Sequence, residues 1–466
     1  MKISFHGAAR TVTGSKHLVT LNTGKKFLLD CGMFQGLGSD TDQLNRNWGF
    51  VPSEVDYVFL SHAHVDHSGL LPKLVKDGFQ GKIYATPATI DVIRVLLLDS
   101  AAIQAQDLHT VNKVRRAEGK RPLEPIYTEE DVRRTFDFMH AVPYHHPVQV
   151  DKDIRLELFD CGHIAGSATI VLNLTENGKT ARLVFSGDVG RYGDPILHAP
   201  EAFPQADVMI IESTYGDRLH DRIETYAADL LKNIEHTCLQ KKGKLIIPAF
   251  SVGRTQELLY ALNDLELDGK LPPVDYYVDS PMSVKVTEIV KRHTECFNRS
   301  VQKLLKTDHD PFRFKGLKYI TDKRDSQALN TSVKPAVIIS ASGMAEAGRV
   351  KHHIANSIEN KHNTIMIIGY CEPHSLGARL KRHPDTVGIF GMPYKVRADI
   401  VTLNSMSAHA DYHDLCQYLS CQSPQEIKRL FIVHGEPEVQ IEFKRRLVKK
   451  GFLDIEIPEL HQEFGI

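Results

Sequence analysis

Five apolar runs in this chain end on a histidine or an aspartate, and that recurrence constrains the fold more than any other feature. "KFLLDCG" ends at Asp30, "LELFDCGHIAGS" reaches His163, "ARLVFSGDVG" reaches Asp188 and "RLFIVHGE" reaches His434. The fifth, "YVFLSHAHVDHSG", delivers His62, His64, Asp66 and His67 within six positions. Strand ends are rigid, loops there commonly carry function, and imidazole with carboxylate is a good donor set for a divalent metal. Each residue alone has a plain alternative. An Asp before Gly at a strand end is an ordinary turn former, and 24 histidines in 466 residues give pairs by chance. Their joint occurrence is much harder to explain by chance and points to one metal-binding site.

The first third reads as short strands, "KISFHG", "HLVTLN", "KFLLDC" and "YVFLSH", without regular crossover helices, which predicts antiparallel pairs at the start. Apolar residues at three- and four-residue spacing predict a helix through "ATIDVIRVLLLDSAAIQAQDLH". The highly charged residues 112–130 read as an exposed excursion. From about residue 208 the rhythm changes: "VMIIEST", "KLIIPAF", "VDYYVDS", "AVIISAS" and "TIMIIGY" alternate with helical runs, which predicts a parallel, doubly wound sheet. That block closes near Gly391, and strands return at "ADIVTLN" and "LFIVHG". The expected organisation is one α/β layer domain (1–208 and 392–466) interrupted by a second (209–391).

With 57 Lys and Arg against 58 Asp and Glu, the formal net charge is −1, so no global basic field attracts a polyanion and any such ligand needs a local groove. No run of eighteen apolar residues exists, so no membrane association is expected. "MKISFHGAAR" lacks the charged start and apolar centre of a signal peptide. Seven cysteines without a CxxC predict reduced thiols in a cytoplasm.

"HAHVDH", "CGH" before "GSA", and "SGD" resemble the metal-binding motifs of the metallo-β-lactamase superfamily. "IESTYGDR", "PAFSVGRTQELL", "DSPMS", "SASGM", "SAHAD" and "VHGE" resemble its β-CASP branch, the nucleases of that superfamily. The variants are most similar to the endonuclease subunit of the pre-mRNA 3′-end cleavage factor and its shorter bacterial relatives. The resemblance runs from Phe5 to about Arg446, in motif order. It implies an α/β fold: an αββα sandwich carrying an inserted β-CASP domain with a parallel, doubly wound sheet.

The resemblance also implies two Zn2+ per chain. His62, His64 and His163 would hold the first, Asp66, His67 and His434 the second, and Asp188 would bridge both. Asp30 would sit behind the site and orient the "HAHVDH" loop, although a simple turn cap is the other reading. His409 would be the acid that protonates the departing oxygen, and Glu212 would keep it protonated and aimed. Asp66, His409, Glu212 and Asp30 are therefore the expected catalytic set. For His409 the alternative is a neighbour of a helix cap, since Ser407 and Asp411 suit a helix start.

The expected partner is single-stranded RNA. "PAFSVGR" and "SASGMAEAGR" place small residues between a strand and a helix, where free N–H groups face an anion. Arg254, Arg349, Ser340, Ser342, Lys395 and Arg397 are the expected substrate contacts, with surface charge as the alternative for the arginines.

Thioester and lactam hydrolases of the superfamily lack the insertion and the Glu212/His409 pair, and DNA-processing β-CASP enzymes typically lack the histidine found here at position 434. A di-iron oxygen-reducing version usually has Glu where this chain has His64. An inactive binding subunit would have lost metal ligands, and all seven are present. The stretch "GYCEPHSLGARL" (369–380) departs from the Gln- and Gly-rich form of the family, which puts binding of one nucleotide there in doubt. The chain shows neither the N-terminal RNA-binding domains of archaeal relatives nor the added C-terminal domain of RNase J, so a monomer or weak dimer without a dedicated extra RNA-binding domain is expected. Endonucleolytic and 5′-exonucleolytic cleavage both remain open.

Overall fold

Strand direction is what positions the site. The computed structural model describes residues 1–38, 40–220, 226–369, 371–372, 374–403 and 407–466. Tyr370 and Pro373 of the divergent stretch, and Ser405 and Met406 ahead of "SAHAD", lie outside them. The chain forms two units: Met1–Tyr192, His198–Leu219 and His409–Ile466 in the first, Gly193–Leu197 and His220–Ala408 in the second.

The first unit holds two seven-stranded sheets. In one, Lys2–Phe5, His17–Thr20 and Lys26–Leu29 pair antiparallel, as the missing crossover helices predict. The sheet then turns parallel through Tyr57–Phe59, Lys82–Ala85 and Met139–Ala141, once helices such as Leu71–Lys76 and Pro87–Ala117 supply the crossovers. The start of the charged excursion is the end of that last, 31-residue helix. In the other sheet, Lys179–Phe185, Val208–Ile211 and Arg429–Ile432 are mutually parallel. Ile154–Asp160 runs the same way, because two antiparallel pairings separate it from Lys179–Phe185.

The strand Val208–Ile211 shows why these runs are apolar without alternation. Val208 and Ile210 share a core with Phe5, Phe27 and Phe59 of the facing sheet. Met209 and Ile211 join Leu415, Phe443 and Leu447, which lie on or beside the helices Tyr412–Tyr418 and Pro437–Lys449. Both faces are buried, so the period-two signal vanishes.

The second unit is built on a six-stranded sheet whose pairings are all parallel. Its order is Leu317–Tyr319, Asp275–Val278, Ala336–Ser340, Lys244–Pro248, Thr364–Ile368, Asp399–Leu403. Ala336–Ser340, Lys244–Pro248 and Thr364–Ile368 are buried at every position. Asp399–Leu403, read from the sequence as part of the returning segment, instead extends this sheet beside Thr364–Ile368. The main segment of the second unit accordingly begins and ends C-terminal of 208/209 and 391/392, at 219/220 and 408/409, and the short piece Gly193–Leu197 also belongs to that unit. A strand pattern does not carry the identity of the sheet it joins. Among the described residues no helix is long and apolar enough to cross a membrane.

Phe431 is fully buried, with its ring centroid 4.9 Å from that of Phe5 and 5.1 Å from that of Phe464. Phe431→Ala is expected to cost about 3–5 kcal/mol. The loss should appear as a lower denaturant midpoint for the first unit.

Candidate metal centre

The parallel strands bring their carboxyl ends to one edge, and the residues just past those ends meet. Past Lys26–Leu29 stands Asp30, fully buried. Its Oδ1 accepts the Ser61 backbone N–H at 2.8 Å. Its Oδ2 accepts the hydroxyls of Ser61 at 2.9 Å and Ser15 at 3.2 Å, and His67 Nδ1–H at 2.6 Å. With Nδ1 committed to Asp30, Nε2 of His67 is the nitrogen turned into the cluster. Behind it the loops stack backbone on backbone: Ser15 N donates to Asp66 O at 2.7 Å and Cys31 N to His67 O at 2.8 Å. Gly32 makes this possible, since a Cβ there would stand 1.6 Å from Asp66 O.

Two donor pockets share Asp188. In the first, His64 Nδ1 lies 3.1 Å from His62 Nε2 and 3.2 Å from His163 Nε2. Asp188 Oδ2 stands 3.5 Å from His62 Nε2 and 3.6 Å from His163 Nε2. Ser61 Oγ fixes the other nitrogen of His62 at 3.0 Å. In the second, His67 Nε2 lies 3.3 Å from His434 Nε2, Asp66 Oδ2 lies 3.5 Å from His434 Nε2, and Asp188 Oδ1 lies 3.3 Å from His67 Nε2. Thr214 Oγ1 holds His434 Nδ1 at 3.0 Å.

This donor set fits divalent metal ions. Ring nitrogens facing one another at such distances repel unless a proton or a cation lies between them. Asp188 Oδ1 is buried and accepts no hydrogen bond among the described residues, the state of a carboxylate oxygen shaped for a cation. Burial, reinforced by neighbouring His67, holds His62 well below the usual imidazole range, and burial pushes His64 down to about 4. Burial works against ionised Asp188, but the surrounding imidazoles, His434 first, outweigh it and hold the carboxyl well below its usual range. Neutral imidazole and ionised carboxylate are the forms that bind metal. His67 differs: burial opposes its charge, yet Asp188 and Asp30 prevail and raise it well above the usual range, so metal binding there has to displace a proton.

Beside the pockets, Glu212 follows Val208–Ile211 and is fully buried. Its Oε1 accepts Val189 N–H at 2.7 Å and His409 Nδ1–H at 3.2 Å, and its Oε2 accepts Thr214 N–H at 3.1 Å. Ala410 N donates to Val189 O at 2.7 Å, which ties the His409 segment to the same loop. Burial disfavours the His409 imidazolium, but Glu212 and Asp188 raise it to about 9. Asp411 is the cap of Tyr412–Tyr418, accepting His413 N and Asp414 N. His409 thus adjoins a capped helix and also faces the cluster. Asp188, Glu212, His409 and His434 form a further donor group overlapping the second pocket.

The six expected substrate contacts all lie in the second unit. Arg254 is buried and ion-paired with Glu257, one helical turn on. Arg349 Nη1 binds the buried Asp279 carboxylate at 2.6 Å, and Arg349 Nη2 donates to Thr321 O at 2.7 Å. Ser340 is buried and donates to Asp279 O at 2.8 Å. Ser342 Oγ lies 3.4 Å from Ala347 O. Lys395 and Arg397 are exposed, at and just after the hairpin strand Met392–Lys395.

Residues 18–203 match the model of the metallo-β-lactamase superfamily domain, 255–380 that of the Beta-Casp domain, and 393–458 that of the Zn-dependent metallo-hydrolase RNA specificity domain. The chain is 35% identical to Ribonuclease TTHA0252 of Thermus thermophilus, over 97% of both proteins. The chain belongs to the β-CASP ribonucleases of the metallo-β-lactamase superfamily. An RNase J-like protein of Methanocaldococcus jannaschii is 28% identical over 96% of this chain and 95% of its own length. Transcription termination factor FttA of Cenarchaeum symbiosum is 29% identical over 88% of this chain, which spans 62% of that longer protein.

Three polar residues of this β-CASP ribonuclease escaped the sequence reading. Ser61 and Thr214 lie inside or beside motifs read for their charged members, and Ser15 is remote in sequence and carries no such signal. For the metal-free protein, His409 predicts a pH signature. Its folded-state pKa is raised, so its stabilisation is complete below the ordinary imidazole value of about 6.5 and is lost as pH rises through about 9. The stability difference between the chelator-treated parent chain and His409→Gln, from denaturant titrations, should shrink across that window.

Proposed function

We propose that this chain is a zinc-dependent ribonuclease that binds two Zn2+ and hydrolyses phosphodiester bonds of single-stranded RNA. The observation that carries this reading is the convergence of seven donor residues around Asp188 with the Glu212–His409 pair beside them. His62, His64 and His163 would hold one ion and Asp66, His67 and His434 the other, with Asp188 shared between the two pockets. Zinc bound there supplies Lewis acidity toward phosphoryl oxygens and a water ionised near neutral pH. Asp30 and Thr214 fix the ring orientations of His67 and His434.

His409 is the acid. With Nδ1 on Glu212, its Nε2–H is the proton that the departing 3′-oxygen, a strongly basic leaving group, would take. Glu212 suits the supporting role better than that of a ligand, since both its oxygens already accept backbone N–H groups. Lys395 and Arg397 meet the RNA backbone, while Arg254 and Arg349 shape their turns through internal ion pairs. Seven free cysteines suit a reducing compartment such as the cytoplasm.

Incubation with 5′-labelled and circular RNAs in zinc buffer tests the reading. Cleavage of both by the parent chain and of neither by His62→Ala is expected. An intact circle beside a degraded linear RNA assigns exonucleolytic action, and no cleavage of either RNA refutes the proposal.

His409→Ala should retain both zinc ions by elemental analysis, yet slow RNA cleavage roughly 10²–10⁴-fold. A nitrophenyl phosphodiester, whose leaving group needs little protonation, should suffer much less. Loss of an ion would make His409 a ligand, and equal slowing of both substrates would make it a phosphate-positioning group.

A further inference from the structure

Lys16 plays no part in the chemistry above, yet it lies directly behind the second pocket. It is fully buried, and among the described residues it forms no ion pair. Its Nζ donates to Gly14 O at 2.9 Å and Gly32 O at 2.8 Å, and stands 4.2 Å from the centroid of the Phe34 ring. A buried amine held only by carbonyls is an expensive choice for a core position, and burial pushes its pKa down to about 7.

The two carbonyls explain the choice. Gly14 precedes Ser15, whose N–H holds Asp66 O and whose hydroxyl reaches Asp30. Gly32 follows Cys31, whose N–H holds His67 O, and Gly32 N itself donates to Ser15 O at 2.8 Å. Lys16 thus cross-links the two loops against which Asp66 and His67 rest. An apolar side chain would leave both oxygens buried without this donor, and hydrating them would part the loops. A neutral or a charged amine offers at least two N–H groups, so the clamp works in either state.

We propose that Lys16 is a positioning residue for the metal pocket of Asp66, His67 and His434, acting through Gly14 O and Gly32 O. This rests on the two-metal reading. Titration of the metal-free chain with Co2+, followed by its visible absorption, tests it. His434→Ala and His163→Ala identify the bands of the first and second pockets respectively.

In Lys16→Met the first pocket should fill as in the parent chain, and the second should weaken roughly 10–100-fold. Lys16→Gln keeps two N–H donors on a shorter stem and should weaken the second pocket selectively but less. Leu18→Ala perturbs the buried strand His17–Thr20 that follows Lys16, without touching the clamp, and should leave both affinities unchanged. Unaltered affinities in Lys16→Met, or parallel weakening of both pockets in Lys16→Met and Leu18→Ala, would overturn the proposal. Should Lys16→Met not fold, Lys16→Gln decides: selective weakening of the second pocket supports the clamp, and unchanged or uniformly weakened binding refutes it. A parent chain that takes up a single equivalent would instead undo the two-metal reading itself.

Discussion

The carboxylate of Asp188, sunk among imidazoles, is the interaction on which the rest of the structure depends. Removing an ionised carboxylate from water costs several kcal/mol unless it is paired and hydrogen-bonded. Here one oxygen accepts no hydrogen bond among the described residues, and the imidazoles around the charge are divided: His67 is raised into the protonated range while burial pushes His62 and His64 toward neutrality. Such an arrangement is poorly compensated as a core and well suited to a divalent cation. The surrounding polar groups act on ring orientation: Ser61 on His62, Asp30 on His67, Thr214 on His434.

The backbone accepts strain to achieve this. Asp30 and His434, each just past a strand end, have φ of 60° and 52°, in the left-handed region that non-glycine residues avoid. A residue held in a sparsely populated region costs on the order of 1–3 kcal/mol, and such residues cluster at functional sites. The strands behind them absorb the cost because both faces are buried. The same rigidity lets six strand ends, from Asp30 to His434, act as one frame. A ligand on a strand end inherits the precision of the sheet.

How much of this was legible follows from what each signal encodes. The donors were legible because apolar runs ending on His or Asp state both the residue and its place. The parallel sheet of the second unit was legible because "KLIIP", "AVIIS" and "TIMII" alternate with helical runs. Asp399–Leu403 was misplaced because strand propensity is local and sheet membership is not. Arg254 and Arg349 read as open contacts from their glycine-rich turns. Glu257, three residues on, is a helical partner that spacing alone could have shown, whereas Asp279 lies 70 residues from Arg349 and is brought near only by the fold. Lys16 carries no motif, and its importance lies in two backbone carbonyls.

Asp188 also joins the two donor pockets to His409, the proposed acid. Its Oδ2 lies 3.8 Å from His409 Nδ1, farther than Glu212 Oε1 at 3.2 Å. In the metal-free chain both carboxylates hold the imidazolium, and its pKa stands at about 9. On the proposed reading, cations held by Asp188 would offset its charge as His409 feels it, and Glu212 would remain as the anion beside the imidazolium. That would lower the His409 imidazole from its metal-free value of about 9 toward the range where a general acid is both protonated enough to be present and acidic enough to give its proton away. Glu212 can carry this role alone because Val189 and Thr214 fix its two oxygens from the backbone. On the proposed two-metal reading, the proton donor would thereby be tuned by the same ions that supply the water, and the acid would reach its working range only with the pockets filled.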